Sequence, residues 1–149
     1  MRTAVLLDRD ASRLSDLATA LERNGIVTLA AATTCDPACA ELAGNVPSVV
    51  VVDAGLSDGA TSPVELVALV HGRHPEVKVV CLDDAGDRRG IGRLLAAGAD
   101  AVFLRQSVPA ELARAIRRLI RDDAVFVPVS GWVPPERPCR SLSPPLLGV

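Results

Sequence analysis

The sequence predicts an α/β fold: a five-stranded, parallel, doubly wound sheet flanked by five helices, followed by an irregular C-terminal tail. Three observations carry this. Apolar runs of strand length recur five times, as TAVLL (3–7), IVTLAA (26–31), VVVV (49–52), VKVVCL (77–82) and AVFL (101–104). They are nearly continuous rather than alternating, which is how strands buried on both faces read. Stretches of helical period separate them, and right-handed crossovers between such units leave an open sheet with its ligand crevice beyond the carboxyl ends of the central strands.

Each element follows in order. The first strand ends in Asp8, Arg9 and Asp10; ASRLSDLATALERNG (11–25) then places Leu14, Leu17 and Leu21 on one helical face and stops at Gly25. The second strand leads to DPAC, with Asp36 as helix cap and Pro37 at the first helical position. The third, in SVVVVDAGLSDG (48–59), runs into Asp53 and a loop of Gly, Ser and Asp. Ser62, Pro63 and Glu65 form a capping box with proline where its missing N–H costs nothing. The fourth strand ends at Asp83 and Asp84, the fifth at Arg105. The last helix, in VPAELARAIRRLIRD, turns Leu112, Ile116, Leu119 and Ile120 inward. Arg114, Arg117, Arg118 and Arg121 form a basic strip opposite, which is either a solvated face favoured by the helix dipole or a docking surface.

At 149 residues the chain suits one domain, residues 1–121, which folds without metal or disulfide staples, plus a tail over 122–149. Hydrophobic residues make up 49% and aromatics 2%, so the core is built from Val, Leu, Ile and Ala. The net charge of −2 gives no footprint for nucleic acid. Cys35, Cys39, Cys81 and Cys139 lack paired zinc spacings, and His71 and His74 lie far from any cysteine pair, so the thiols read as buried or idle. The apolar run before Asp8 is too short for a signal peptide or a membrane span, which makes a cytoplasmic protein the expectation. The tail holds six of the 11 prolines and the only tryptophan, Trp132; that density favours extended or disordered backbone.

Asp8, Asp10, Asp53, Asp83, Asp84 and Arg105 thus converge on one crevice. Across roughly residues 3–121 the sequence resembles the receiver domain of two-component response regulators, a flavodoxin-like fold. LLDRD stands where that family has its acidic pair, VVVVDAG where it has the phosphorylated aspartate, CLDDAG where it has Ser or Thr and a small residue, and GADAVFLRQS where it has Lys and Pro. LLAAGADAVFL resembles the run from fourth helix to fifth strand, with Gly98 ending the helix.

The resemblance implies that Asp53 accepts a phosphoryl group from a histidine kinase, with Mg²⁺ held between it and the acidic pair. A carboxylate cannot attack a phosphorylated partner unless a cation neutralises the converging charges. The metal ligands on offer are Asp8, Asp53 and, if it swings inward, Asp10; no other cofactor is implied. The chain departs from the pattern at most positions. Arg9 replaces the second acid, removing a ligand and adding repulsion to a cation that wants octahedral oxygen. Asp83 stands where a hydroxyl would grip the phosphoryl oxygen, so a negative charge faces the incoming group. Arg105 replaces Lys, Gln106 replaces Pro, and Ser57 stands where Pro is common.

The pocket cations Arg9 and Arg105 are placed to pair with Asp53 or Asp83 without metal. The expectation is therefore a pseudo-receiver, a non-enzymatic signalling protein acting by protein contact. Its partners would be a histidine kinase or a downstream regulator, or a second copy through the fourth helix, fifth strand and fifth helix. A working phosphoacceptor at Asp53 is the alternative. DDAVFVP also resembles the linker of LuxR-type regulators, so a truncated transcriptional regulator is another. A third comes from LLDRDAS, which resembles the first motif of haloacid-dehalogenase-type phosphatases, with Asp8 as nucleophile and Asp10 as acid/base. In that reading Asp53 falls where a Ser or Thr is needed, and Lys78, the only lysine, lies inside a strand.

Overall fold

The apolar runs become five strands of a single sheet. The computed structural model describes residues 2–35, 44, 46–56, 61–84 and 88–122. In chain order these hold β1 (Arg2–Leu7), α1 (Ala11–Arg23), β2 (Ile26–Ala32), β3 (Val49–Asp53), α2 (Pro63–Arg73), β4 (Lys78–Asp83), α3 (Arg88–Ala97), β5 (Ala101–Leu104) and α4 (Pro109–Asp122). All neighbours are parallel, in the order β2-β1-β3-β4-β5. The chain moves outward from β1 to β2 on one side and through β3, β4 and β5 on the other. The direction therefore reverses between β1 and β3, where the strand ends open a crevice. The register Leu7↔Val52 brings the ends of those two strands level, so Asp8 and Asp53 are neighbours.

Two apolar layers hold the sheet. On one face Leu6, Val49, Val51, Leu82 and Phe103 pack under α1 and α4 through Leu14, Leu17, Leu21, Leu112, Ile116 and Leu119. On the other, Val5, Val50, Val52, Val79, Cys81 and Val102 pack under α2 and α3 through Leu66, Val70, Ile91 and Leu94. With hardly any aromatic filler the sheet is tiled by β-branched residues, whose stiff side chains suit a surface covered from both sides.

β2 departs from the doubly buried pattern. Val27 and Leu29 are exposed, and the register to β1 shifts between Ala4 and Val5, leaving Leu29 out of the pairing. As a terminal strand with one neighbour, β2 tolerates the bulge that a central strand would not.

The helix ends follow local chemistry. Ser62 Oγ accepts from the Glu65 amide at 3.2 Å while Glu65 Oε1 accepts from the Ser62 amide at 2.9 Å, the reciprocal box that the sequence predicts. α3 ends at Gly98, whose φ of +123° disfavours any side chain, and a Cβ there would lie 2.4 Å from the His71 side chain. α4 runs to Asp122, one residue beyond the expected domain limit. Cys35 and Cys81 are buried. The helix start at Asp36 and Pro37, Ser57, Cys39, Cys139, Trp132 and the tail from 123 onward lie outside the described residues. No helix among the described residues is long and apolar enough to cross a membrane.

Candidate functional site

Asp53 is the last residue of β3, and its side chain is completely buried. Burial is the largest influence on this carboxyl and on its own would push it up, because the charged form loses water. The N–H groups around it outweigh that and hold it below the ordinary carboxylate range. Arg9 Nε donates to Oδ2 at 2.7 Å and Nη2 to Oδ1 at 2.8 Å, a two-point clasp. The Arg9 amide reaches Oδ2 at 3.2 Å and the Gly55 amide reaches Oδ1 at 2.8 Å. In return, the hydrogen bond to Asp53 raises the affinity of Arg9 for its proton.

Gly55 makes the clasp sterically feasible. A Cβ at that position would stand 2.1 Å from Arg9 Nη2, so the guanidinium lies flat over bare backbone.

Asp8, just past β1, is buried and bound by the second cation. Arg105 Nη2 donates to Asp8 Oδ1 at 2.6 Å and Nε to Oδ2 at 3.3 Å, and Arg105 Nε also comes within 3.3 Å of Asp53 Oδ2. The hydrogen bond to Asp8 is the main reason that Arg105 holds its proton more tightly than usual. Arg13, in the first turn of α1, fastens the segment after β5 by donating from Nη2 to the carbonyls of Arg105 and, at 3.4 Å, of Ser107.

The structure thus brings together Asp8, Arg9, Asp53 and Arg105, and completes them with Asp84. Asp84 Oδ2 lies 3.0 Å from Arg9 Nη2, and Oδ1 lies 3.7 Å from Arg105 Nη1. Asp83, the acid expected in this pocket, is not the one that faces it. The pairing Asp53↔Leu82 puts Leu82 and Asp84 on the crevice face, and side chains alternate along a strand. Asp83 falls with Cys81 instead. Its Oδ2 is buried without a hydrogen-bond partner among the described residues. Burial, then Asp100 and Asp83, push the Cys81 thiol up to about 12, which makes it inert.

Asp10 is also elsewhere. Its Oδ1 accepts from the Ser12 amide at 2.9 Å and hydroxyl at 2.8 Å, capping α1, and those bonds hold its carboxyl below the ordinary range. Only its amide turns back, donating to Asp8 Oδ1 at 2.9 Å. A nucleophile–acid pair of Asp8 and Asp10 is therefore not assembled, since the two carboxylates face different partners.

These residues do not fit a resident Mg²⁺. The ion requires near-octahedral oxygen ligands. Here both Asp53 oxygens face N–H donors, both Asp8 oxygens face Arg105, Asp10 is engaged by its helix, and a guanidinium stands at the position of the missing acid. Among the described residues no group of three or more His, Cys, Asp or Glu side chains is placed to hold a metal.

The basic strip is as the helix period requires: Arg114, Arg117, Arg118 and Arg121 are all exposed on α4. Sequence reasoning brought Asp84 to the crevice beside Asp83 but gave the pocket to Asp83, and it did not anticipate Arg13. The period-2 alternation, counted from Asp53 across the sheet, was a usable signal for Asp84; no local signal marks an arginine that reaches from α1 to a loop 92 residues away.

No protein-family model and no curated protein matches the sequence. Solved structures do. The response regulator RcsB of Salmonella typhimurium superposes with a TM-score of 0.76 at 15% identity, over 87% of this chain and 66% of that one. DrrB of Thermotoga maritima, an OmpR/PhoB homologue, gives 0.73 at 23% identity over 83% and 54%. A DNA-binding response regulator of the LuxR family from Staphylococcus aureus gives 0.73 at 16% identity over 80% and 99%. The chain has the flavodoxin-like fold of response-regulator receiver domains, and it spans about two thirds of RcsB and about half of DrrB.

Proposed function

We propose that this chain is a receiver-fold signalling protein of the two-component type in which a guanidinium does the work of the divalent cation. Asp53 is held in a standing ion pair, takes no phosphoryl group, and the protein acts in the cytoplasm through contacts with other proteins rather than as an enzyme. The observation that carries this is the two-point clasp of Arg9 on Asp53, at 2.7 and 2.8 Å. In-line attack on phosphorus needs a free carboxylate oxygen and a cation to draw the phosphate charges together. Both oxygens of Asp53 are engaged, the cation is fixed to the protein, and Asp84 sets a further negative charge at the mouth. The partners of such a protein are a histidine kinase or a downstream regulator.

Incubation of the chain with Mg²⁺ and acetyl phosphate, followed by intact-mass measurement, tests the reading. The expected result is an unchanged mass. A phosphoryl-sized gain that disappears in Asp53→Ala overturns it in favour of a working phosphoacceptor.

A further inference from the structure

Resting on the reading that the chain works by protein contact, we infer that the outer face of α4 is a docking surface for a short acidic helical segment of a partner protein, gripped by Arg114, Arg117, Arg118 and Arg121.

At about 100° per residue these four arginines fall within an arc of about 100°. Leu112, Ile116 and Leu119, buried against the sheet, lie on the opposite side. The strip therefore points straight away from the core. It extends about 10 Å along the axis at 1.5 Å per residue.

The domain itself does not explain the strip. A favourable interaction with the helix dipole is confined to the last turn, which accounts for Arg121 but not for Arg114, Arg117 and Arg118. Arginines three and four apart repel, and each such contact weakens the helix. None of Arg114, Arg117 and Arg118 has an acidic partner within salt-bridge distance among the described residues. The like charges are therefore packed together with no compensating pair for three of them.

Charge complementarity selects the occupant. With four arginines in the strip and a net charge of −2 overall, the remainder of the chain sums to −6. A long polyanion or a membrane surface would meet that acidic remainder as well as the strip. A short segment stays within the local field, which decays over about 10 Å at 0.1 M salt. Glutamates or aspartates repeating at three- and four-residue spacing on a second helix would match the arginines rung for rung, with guanidinium forks taking carboxylates at two points.

The probe is a capped, fluorescently labelled helical peptide whose glutamates repeat at that spacing, titrated with the full chain by anisotropy in the absence of Mg²⁺ and acetyl phosphate. Saturable binding is expected, weakened at least about tenfold in Arg114→Gln/Arg117→Gln/Arg118→Gln, and lost as salt rises from about 0.05 to about 0.5 M. Circular dichroism checks that the triple variant is folded, and a single Arg117→Gln variant, expected to weaken binding by about threefold, serves if it is not. Absence of binding, binding indifferent to both variants, or tighter binding to a DNA duplex or to phosphatidylserine vesicles overturns the assignment. The arms do not involve Asp53 chemistry, so failure here leaves the standing ion pair untouched, and a mass gain with acetyl phosphate leaves the docking face untouched.

Discussion

Arg9 closes over a carboxylate with no exposed surface while its own side chain remains 41% exposed, and this asymmetry sets what its loss does. The cost falls on Asp53, which would keep only the amides of residue 9 and Gly55 and Arg105 at 3.3 Å to stabilise a buried charge. Arg9→Gln is expected to lower stability by about 2 kcal/mol, read as a drop in the urea midpoint at neutral pH. The same variant separates ion pairing from simple packing through its pH dependence. Because the Asp53 carboxyl is held below its ordinary 3.8, the folded state binds fewer protons than the unfolded chain in that region. The stability it contributes is complete above about pH 4 and is lost as pH falls through the lowered value. Without Arg9, burial pushes the carboxyl back up, the two states titrate closer together, and less stability remains to be lost. From about pH 5 to pH 2.5 the midpoint of the natural protein should therefore fall further than that of Arg9→Gln. Parallel falls would show that Asp53 is not held ionised by this pair.

At the scale of elements, the turn from β1 into α1 divides its acids between two tasks. Asp8 turns to Arg105, while Asp10 supplies the cap that the first amides of α1 need. Asp10→Ala should lower the unfolding temperature measurably, and Asp10→Asn, which keeps the accepting oxygen, should hardly change it. Thermal unfolding of the two variants measures this. Equal losses in both would mean that the charge, and not the cap, is what α1 uses. The same turn shows what was legible in the chain and what was not. Five strand runs, the Ser62 box and the inward face of the last helix follow from local period and propensity, which act over a few residues and are written in order. The aspartate at the end of β3 and the cations beside it were legible too, since strand ends at a topological switch point converge whatever the loops do. Two features were not. Which of Asp83 and Asp84 enters the crevice turns on a one-residue register, and adjacent identical residues at a strand end leave it undetermined until Asp53 is paired with Leu82. The hold of Arg13 on the carbonyl of Arg105 joins positions far apart in the chain, so it exists only once α1 and the end of β5 are packed together.

For the whole molecule, the parallel sheet collects three carboxylates and two guanidinium groups at its open edge and lets them satisfy one another. The sheet order sets β1 beside β3, the strand register levels Asp8 with Asp53, and the cations come from the ends of β1 and β5, so the five charges arrive on four strand ends. A site of this kind is complete without a ligand, and linkage gives that statement a measurable form. Any ion that binds the folded state alone stabilises it by the logarithm of one plus the ratio of its concentration to Kd, about 2.7 kcal/mol at a hundredfold excess over Kd. If the carboxylates held Mg²⁺ with a Kd of about 0.1 mM, about 10 mM of the ion would raise Tm by several degrees. With Arg9 and Arg105 already seated on Asp53 and Asp8, Tm should stay within about 1 °C across that range, as measured by scanning calorimetry at constant ionic strength with Na⁺ replacing Mg²⁺ in the control. A rise of several degrees, reversed by EDTA, would mean that the guanidinium groups yield to the ion and that the closed network is only the metal-free half of a working switch.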